Sequence, residues 1–396
     1  MNLPRHFCIA PFFQHTTHPS GSCSPCPYLG GTSWAQPGST IQQQWASPQL
    51  EDLRRQFLSG ERPELCHRCW HEEDHGKRSL RQRLFDPETE QSDFEFAAAA
   101  AVQTRLEHDT WKQGPRVLTI KNGNVCNAKC RVCHPNDSSR WIADARRIYD
   151  ITGKTYYNLD QVESNWSDAQ LQEIVSLCSS ISRLELFGGE PAYNKQVARL
   201  LADIADRGLA AGMTLYINTN GSVDILERMP AVKEFGVVEI GVSIDGVGAQ
   251  FDYIRHGLDY DSVIANVVAW RQWFESRGRR YSIDSISTVQ ILNVFYLPEL
   301  RDAVKRVLPL PPFWNLLIEP SYLFIKNMPD HAKAAVLDKL AGDADFDDIR
   351  SVISQPSDDN AWQQFQEVTN VLDQIRGENF AETFPEWHKI LFKTGG

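Results

Sequence analysis

Six short apolar runs, each followed by a helical stretch, constrain this 396-residue chain more than any other feature. The runs are Val117–Lys121, Leu184–Phe187, Thr214–Asn218, Val237–Ile244, Ser282–Val289 and Leu316–Glu319. Strands that alternate with helices are parallel neighbours, because a crossover segment must carry the chain back to the starting end of the sheet. The helices between them are legible as well. Ser167-x-x-Gln170 is a capping box, and it opens a helix whose apolar face is Leu171, Ile174, Val175 and Cys178. Asn194 can cap the next helix, which Gly208 stops, and Asp261 to Arg277 forms a third through Val263, Val267, Trp270 and Phe274. This α/β string fits a partial (β/α)6 TIM-like barrel, and it also fits a doubly wound open sheet. Periodicity does not separate the two. In both, ligands gather at the C-terminal ends of the strands.

The flanks read differently. Residues 1–85 hold five cysteines among many Pro, Gly, Ser and Gln, the composition of a small lobe that needs a staple. One helix is visible there, through Leu50, Leu53 and Phe57 with Gly60 as its stop. Residues 86–115 read as a helical connector, 116–320 as the α/β core, and 321–396 as a helical C-terminal extension. In that extension Trp362, Phe365, Val368, Leu372 and Ile375 share a helical face ahead of Gly377. Lys plus Arg number 40 and Asp plus Glu 51, a formal net charge of -11 that disfavours phosphate-driven nucleic-acid binding. No run approaches the ~18 apolar residues of a membrane span. Met1 to Phe13 has neither the charge nor the unbroken apolar run of a secretory signal. The expected location is therefore cytoplasmic. In a reducing compartment cysteine clusters are more often metal ligands or catalytic groups than disulfides.

Cys126, Cys130 and Cys133 follow directly after the first strand run, Val117–Lys121. Thiolates suit both zinc and iron–sulfur clusters. A zinc site could be completed by His134 or a distant residue. A [4Fe–4S] cluster takes four ligands, so three cysteines leave one iron open to an outside group. Further on, Gly188-Gly189-Glu190-Pro191 ends the second strand, where two glycines permit close backbone approach and the acid can accept hydrogen bonds from an ammonium. Ser243-Ile-Asp245-Gly246 ends the fourth strand with short polar side chains, and Arg255 follows in Tyr253-Ile-Arg255-His-Gly257.

Together these residues resemble the radical SAM superfamily. The resemblance implies that Cys126, Cys130 and Cys133 hold a catalytic [4Fe–4S] cluster whose fourth iron is chelated by S-adenosylmethionine (SAM). It implies that Gly188, Gly189 and Glu190 bind the SAM amino group, that Ser243 and Asp245 meet the ribose, and that Arg255 meets the carboxylate. The residue before the third cysteine is often aromatic in that superfamily. Here it is Val132, which can still pack on adenine. Asn218-Thr219-Asn220-Gly221 is a polar turn familiar at that point of the fold, and Gln290 and Asn293 are weaker candidates.

Cys23-x2-Cys26 and Cys66-x2-Cys69 are paired as in zinc ribbons, with Cys8 left over and a longer gap than ribbons use. Cys8-Ile-Ala-Pro-Phe12, the Gly21 to Cys26 stretch, Arg54 to Gly60 and Cys66 through Gly76 also resemble a twitch domain, the shorter relative of the SPASM domain. Leu372-Asp-x-x-Arg376-Gly377 and Phe384-Pro385-Glu386 resemble the ending of a family of twitch-domain radical SAM proteins. That resemblance implies a second, auxiliary [4Fe–4S] cluster on Cys8, Cys26, Cys66 and Cys69, with Cys23 as a spare thiol or fifth candidate. Cys178 reads as a buried inert thiol.

The expected function is reductive cleavage of SAM to a 5′-deoxyadenosyl radical and hydrogen abstraction from a substrate C–H bond. The favoured outcome is oxidation of a peptide or protein side chain, fed by a flavodoxin- or ferredoxin-type donor. Aromatics of the C-terminal third (Phe313, Trp314, Tyr322, Phe324, Trp362, Phe365, Trp387) could line a groove for such a substrate, against the plain alternative that they are core. The other readings are radical SAM chemistry on a small metabolite, such as an amino sugar or amino acid, and a non-catalytic zinc-binding interaction protein.

Overall fold

The computed structural model describes residues 3–29, 38–74, 78–157, 159 and 166–393; His75 and Gly76 of the N-terminal motif lie outside them. The strands are β1 (Gln14–Thr17), β2 (Cys23–Ser24), β3 (Val117–Lys121), β4 (Arg183–Phe187), β5 (Thr214–Thr219), β6 (Val237–Ser243), β7 (Arg280–Val289) and β8 (Phe313–Leu316). They form one sheet in the order β2-β1-β3-β4-β5-β6-β7-β8. From β3 to β8 sequence order and spatial order coincide and every pairing is parallel. A doubly wound sheet would reverse its strand order at a switch point. This one winds in a single direction, so the expectation left open between two architectures resolves to the open partial barrel.

Two features differ from the sequence reading. The final run was expected at Leu316–Glu319, but β8 covers Phe313–Leu316. Its partner β7 ends at Val289, paired with Leu316, so no ladder is left for the residues beyond. The sheet also starts earlier than Val117, because β1 pairs in parallel with β3 and β2 lies antiparallel to β1. A four-residue run of Gln-His-Thr-Thr carries no apolar alternation to announce it.

The strand register separates two chemistries. Leu118, Leu184, Leu215 and Val238 lie abreast, as do Ile120, Leu186, Ile217, Ile240 and Ile283, and these rows are buried against the helices. Between them, facing the other way, Thr16, Thr119, Glu185, Tyr216, Glu239 and Ser282 lie abreast. Successive residues of a strand point to opposite faces, so the barrel interior is polar. Arg183 is nearly buried there and bridges Glu185 at 2.7 Å and Glu239 at 2.8 Å. Gln14 joins from β1, donating to Thr119 Oγ1 at 2.9 Å.

The outer layer forms as the caps predict. Ser167 and Gln170 make their capping box at the start of Asp168–Leu177, Asn194 caps Lys195–Asp206, and Gly377 ends Asp359–Arg376 in the left-handed region. A second apolar core gathers Phe7, Phe12, Trp45, Leu53, Phe57 and Trp70 with Val102, Leu106 and Trp111. The aromatics of the C-terminal third are mainly core: Tyr322, Phe365 and Trp387 are buried, and Phe295 stacks on Trp387 with ring centroids 5.1 Å apart. Among the described residues no helix is long and apolar enough to cross a membrane.

Candidate functional site

The C-terminal end of β3 runs into the loop that carries Cys126, Cys130 and Cys133. Four neighbours hold that loop. The N–H groups of Lys129 and Arg131 donate to the carbonyls of His256 and Ile254 at 2.9 and 2.7 Å. Trp141 Nε1 donates to the Cys130 carbonyl at 2.7 Å. The Glu190 N–H donates to the Val125 carbonyl at 2.8 Å, tying the end of β4 to the loop.

The glycines at the end of β4 serve this contact. Gly188 and Gly189 have positive φ, +88° and +24°. A Cβ on Gly188 would lie 2.9 Å from the Gly123 carbonyl oxygen, and one on Gly189 only 2.4 Å from that of Val125. The close approach inferred from the Gly-Gly pair is therefore made to the cysteine loop itself. Gly189→Ala is expected to push the loop aside. A displacement near 1 Å at a reacting centre costs ~10²-fold in rate, so iron bound by the central cysteines and SAM cleavage should fall together. Wild-type iron content and cleavage in that variant would contradict it.

Glu190 is fully buried. Its Oε1 accepts from Ala192 N at 3.0 Å and Thr219 Oγ1 at 2.8 Å, and its Oε2 accepts from Asn220 N at 2.7 Å. Burial pushes its carboxyl above the ordinary value, and these donors oppose the push. Three of about four lone-pair sites are thus taken. The carboxylate clamps the ends of β4 and β5 together. Asn220 in turn lies with Nδ2 3.9 Å from Cys126 Sγ. The turn whose role was indistinct in the sequence thus supports both Glu190 and a thiol.

Ser243 closes β6 half-buried, abreast of Ile286. Asp245, just beyond, is fully buried; its Oδ1 accepts from Thr288 N at 2.6 Å, and its Oδ2 lies 2.7 Å from Arg255 Nη2. Arg255 Nη1 lies 3.9 Å from Cys130 Sγ. Val132 is half-buried against the main core. Asn293 Nδ2 donates to the Asp245 carbonyl at 3.0 Å, which gives it a supporting role.

Burial pushes the Cys126 thiol up to about 12. Cys130 and Cys133 share a hydrogen bond that lowers the first and raises the second. Among the described residues, Asn218 Oδ1, Arg255 Nε and Gln290 Nε2 are buried without a hydrogen-bond partner. They sit at or beyond the C-terminal ends of β5, β6 and β7. Twelve other buried polar atoms of the described residues also lack a partner, Asp245 Oδ2 among them; a polar ligand at the barrel mouth would satisfy the three named here. The residues therefore fit a cluster with a polar co-ligand.

The C-terminal extension supplies what sequence reasoning missed. Arg131, 2% exposed in its side chain, pairs with Asp373 and, at 2.6 Å, with Glu378. Its guanidinium lies 3.7 Å from the Tyr253 ring centroid. Tyr253 donates to Asp373 at 2.7 Å, and His256 Nδ1 lies 2.6 Å from Glu378. Arg376 and Lys129 both reach Asp144 at 2.9 Å. The segment Leu372 to Gly377, legible only as a family ending, braces the cysteine loop.

In the N-terminal lobe Cys8, Cys26, Cys66 and Cys69 line one cavity with Tyr28, Leu65, His67 and Arg68. Burial pushes the Cys26 thiol to about 11 and Cys66 to about 12, and burial, reinforced by the other three thiols, raises Cys8 as well. Cys23 is on β2, abreast of Thr17, and does not line that cavity. Cys178 is buried on its helix. Among the described residues no three His, Cys, Asp or Glu side chains converge as a single-ion site requires. In a [4Fe–4S] cluster each cysteine takes its own iron, so its thiols stand apart.

Residues 120–273, less than half of the chain, match the model of the Radical SAM superfamily. GTP 3′,8-cyclase of Alkaliphilus metalliredigens is 24% identical over 162 residues, 40% of this chain and 44% of that protein. Pre-heme d1 synthase of Dinoroseobacter shibae is 31% identical over 121 residues, 30% of this chain and 28% of that one. The chain thus spans less than half the length of these curated relatives. Streptococcus suis SuiB bound to S-adenosylmethionine aligns over 81% of this chain and 64% of that one, at 15% identity and a TM-score of 0.38.

Proposed function

We propose that the protein is a radical SAM enzyme that abstracts hydrogen from a substrate C–H bond and oxidises the substrate with the help of an auxiliary cluster. The observation that carries this reading is the joining of the cysteine loop to the ends of β4 and β5 through Glu190 and Asn220, with Arg255 beside Cys130. A reduced cluster and SAM held there would supply a 5′-deoxyadenosyl radical. Cys126, Cys130 and Cys133 hold the cluster, and Gly188, Gly189 and Glu190 fix the loop while leaving an acceptor for the amino group. Ser243 and Asp245 border the ribose, and Val132 packs on adenine. The buried wall of β4 to β7 excludes water from a radical that would react with any nearby C–H bond.

Cys8, Cys26, Cys66 and Cys69 are the proposed ligands of the auxiliary cluster, supported by their shared cavity. A lobe this small depends on its metal. Removing Cys66 and Cys69 together should lower iron by about half and expose residues 3–74 to protease. Full iron content in that double variant would refute the assignment, and iron loss from a Cys23 variant would change the ligand set.

The substrate is proposed to be a peptide or protein side chain. Tyr322, Phe365 and Trp387 are core, Trp314, Phe324 and Trp362 are partly buried and Phe313 is exposed, so the aromatics give a broad groove little support and the barrel mouth is the proposed entry for the reacting side chain. A small polar metabolite is the second reading, favoured by the curated relatives, which by name act on GTP or make pre-heme d1. The inner row of Glu185, Tyr216 and Glu239 favours neither, because Arg183 already pairs with both carboxylates. The test is anaerobic incubation of reduced enzyme and SAM with short peptides encoded beside its gene, and separately with amino sugars and amino acids. Loss of two hydrogens or a new crosslink on a peptide supports the first reading. Turnover confined to a small metabolite overturns it in favour of the second. Absence of 5′-deoxyadenosine under every condition overturns both.

A further inference from the structure

Among the described residues, Arg255 is the cation whose side chain reaches a thiol of the central loop, and both terminal nitrogens of its guanidinium have a neighbour. Nη2 lies 2.7 Å from Asp245 Oδ2, and Nη1 lies 3.9 Å from Cys130 Sγ. Asp245 cannot swing away. It is fully buried, its Oδ1 accepts the Thr288 N–H at 2.6 Å, and its carbonyl accepts from Asn293 at 3.0 Å. Arg255 is itself 6% exposed and ends the helix Ala249–Ile254, whose last carbonyl accepts the Arg131 N–H of the cysteine loop. Backbone and side chain thus hold the guanidinium against the loop from both sides.

This geometry bears on what Arg255 does. A carboxylate is best recognised by a guanidinium that offers two parallel N–H groups. Here one terminal nitrogen faces a protein carboxylate and the other a thiol. Nε has no hydrogen-bond partner, nor has Asp245 Oδ2, whose contact with Nη2 is an ion pair. An N–H aimed at a cluster sulfur, and a fixed positive charge beside it, both favour the more negative reduced cluster. Hydrogen bonds to sulfur and local charge are among the factors that set iron–sulfur potentials.

We propose that Arg255, held by Asp245, is a positioning residue that sets the potential at which the central cluster accepts its electron, rather than chiefly a ligand of the SAM carboxylate. The inference rests on the radical SAM reading of the central cysteines. It assigns Asp245 the role of orienting that arginine, alongside any contact with the ribose.

The experiment is a potentiometric titration of the anaerobically reconstituted full chain without SAM. The cluster is followed by the electron-spin signal that disappears in the C126A/C130A/C133A variant. R255K keeps a cation for Asp245 but is too short to span both partners. At the potential where half the wild-type cluster is reduced, its ratio of reduced to oxidised cluster should fall about tenfold, about 59 mV for one electron. R255M/D245N removes both charges, which keeps the buried pair balanced and isolates the lost N–H to sulfur; its ratio should fall in the same direction. An unchanged ratio in both variants overturns the proposal, and weakened SAM binding alongside it returns Arg255 to the SAM carboxylate. Loss of the cluster from both variants also overturns it, since Arg255 is then a structural residue. Wild-type protein that holds the cluster but releases no 5′-deoxyadenosine sinks the radical SAM reading while leaving the titration readable. Wild-type protein that binds no cluster sinks both.

Discussion

Replacing Cys126, Cys130 and Cys133 together by alanine should reduce 5′-deoxyadenosine release from SAM and dithionite to the uncatalysed background. The loss is total because no other described group stands ready to replace three thiolates. Cys178, the remaining cysteine of the α/β core, is buried on the helix Asp168–Leu177 and its cap, with its thiol pushed up to about 12 by burial. Cys8, Cys26, Cys66 and Cys69 of the N-terminal lobe line a cavity of their own. Iron bound by that lobe should therefore persist in the triple variant, and the two measurements together distinguish loss of one centre from collapse of the protein. Undiminished 5′-deoxyadenosine would end the assignment of the central cluster.

The second large effect is expected at Arg131. Its guanidinium is buried between Asp373 and Glu378 and stacks on Tyr253. Arg131→Ala strands two carboxylates in a place chosen for their partner. Breaking a buried ion pair from one side costs about 3–5 kcal/mol, and the cysteine loop would lose its brace as well. Denaturant unfolding should show that loss. Replacing Asp373 and Glu378 by their amides in the same background should return part of it, because no unpaired charge is then left behind. A single variant as stable as wild type would refute the clamp.

The clamp also has a pH dependence with a definite sign. Against the opposing effect of burial, Lys129 and Arg376 hold Asp144 below its ordinary value, and His256 and Arg131 do the same for Glu378. Carboxyls with depressed values in the folded state stabilise it above their unfolded values. That contribution is lost as pH falls through the depressed ones. Mild acid should therefore leave the clamp intact, and acid below the ordinary carboxylate range should loosen the C-terminal extension from the cysteine loop, with protection of the Arg131 amide from hydrogen exchange as the report.

Much of the barrel was legible because its signals are local. A capping box at Ser167 and a glycine stop after Arg376 act within a turn, and the outward rows of Leu, Ile and Val announce their strands. The cysteine triad and the Gly-Gly-Glu stretch were legible as chemistry. Their partnership was not: Gly189 owes its identity to the Val125 carbonyl, more than sixty residues earlier. The same holds for Arg131 and Asp373, whose pairing spans 242 positions. Arg183, Glu185 and Glu239 look like ordinary solvent-facing charges until the register turns them inward. Short strands with polar residues, such as β1, leave no periodic trace, and only the partner strand defines them.

That first strand has a consequence for the order in which the protein is made. Gln14 pairs with Val117, so the N-terminal strand emerges from the ribosome about a hundred residues ahead of its partner. At the usual pace of synthesis the delay is roughly 5 to 20 s. Throughout it, β1 has only the two-residue β2 beside it, and its other edge and the nearby Cys8 belong to a nascent chain whose parallel sheet has not begun. The lobe's thiols are thus presented to the cell, and to whatever loads iron and sulfide into them, before the barrel that they will adjoin exists.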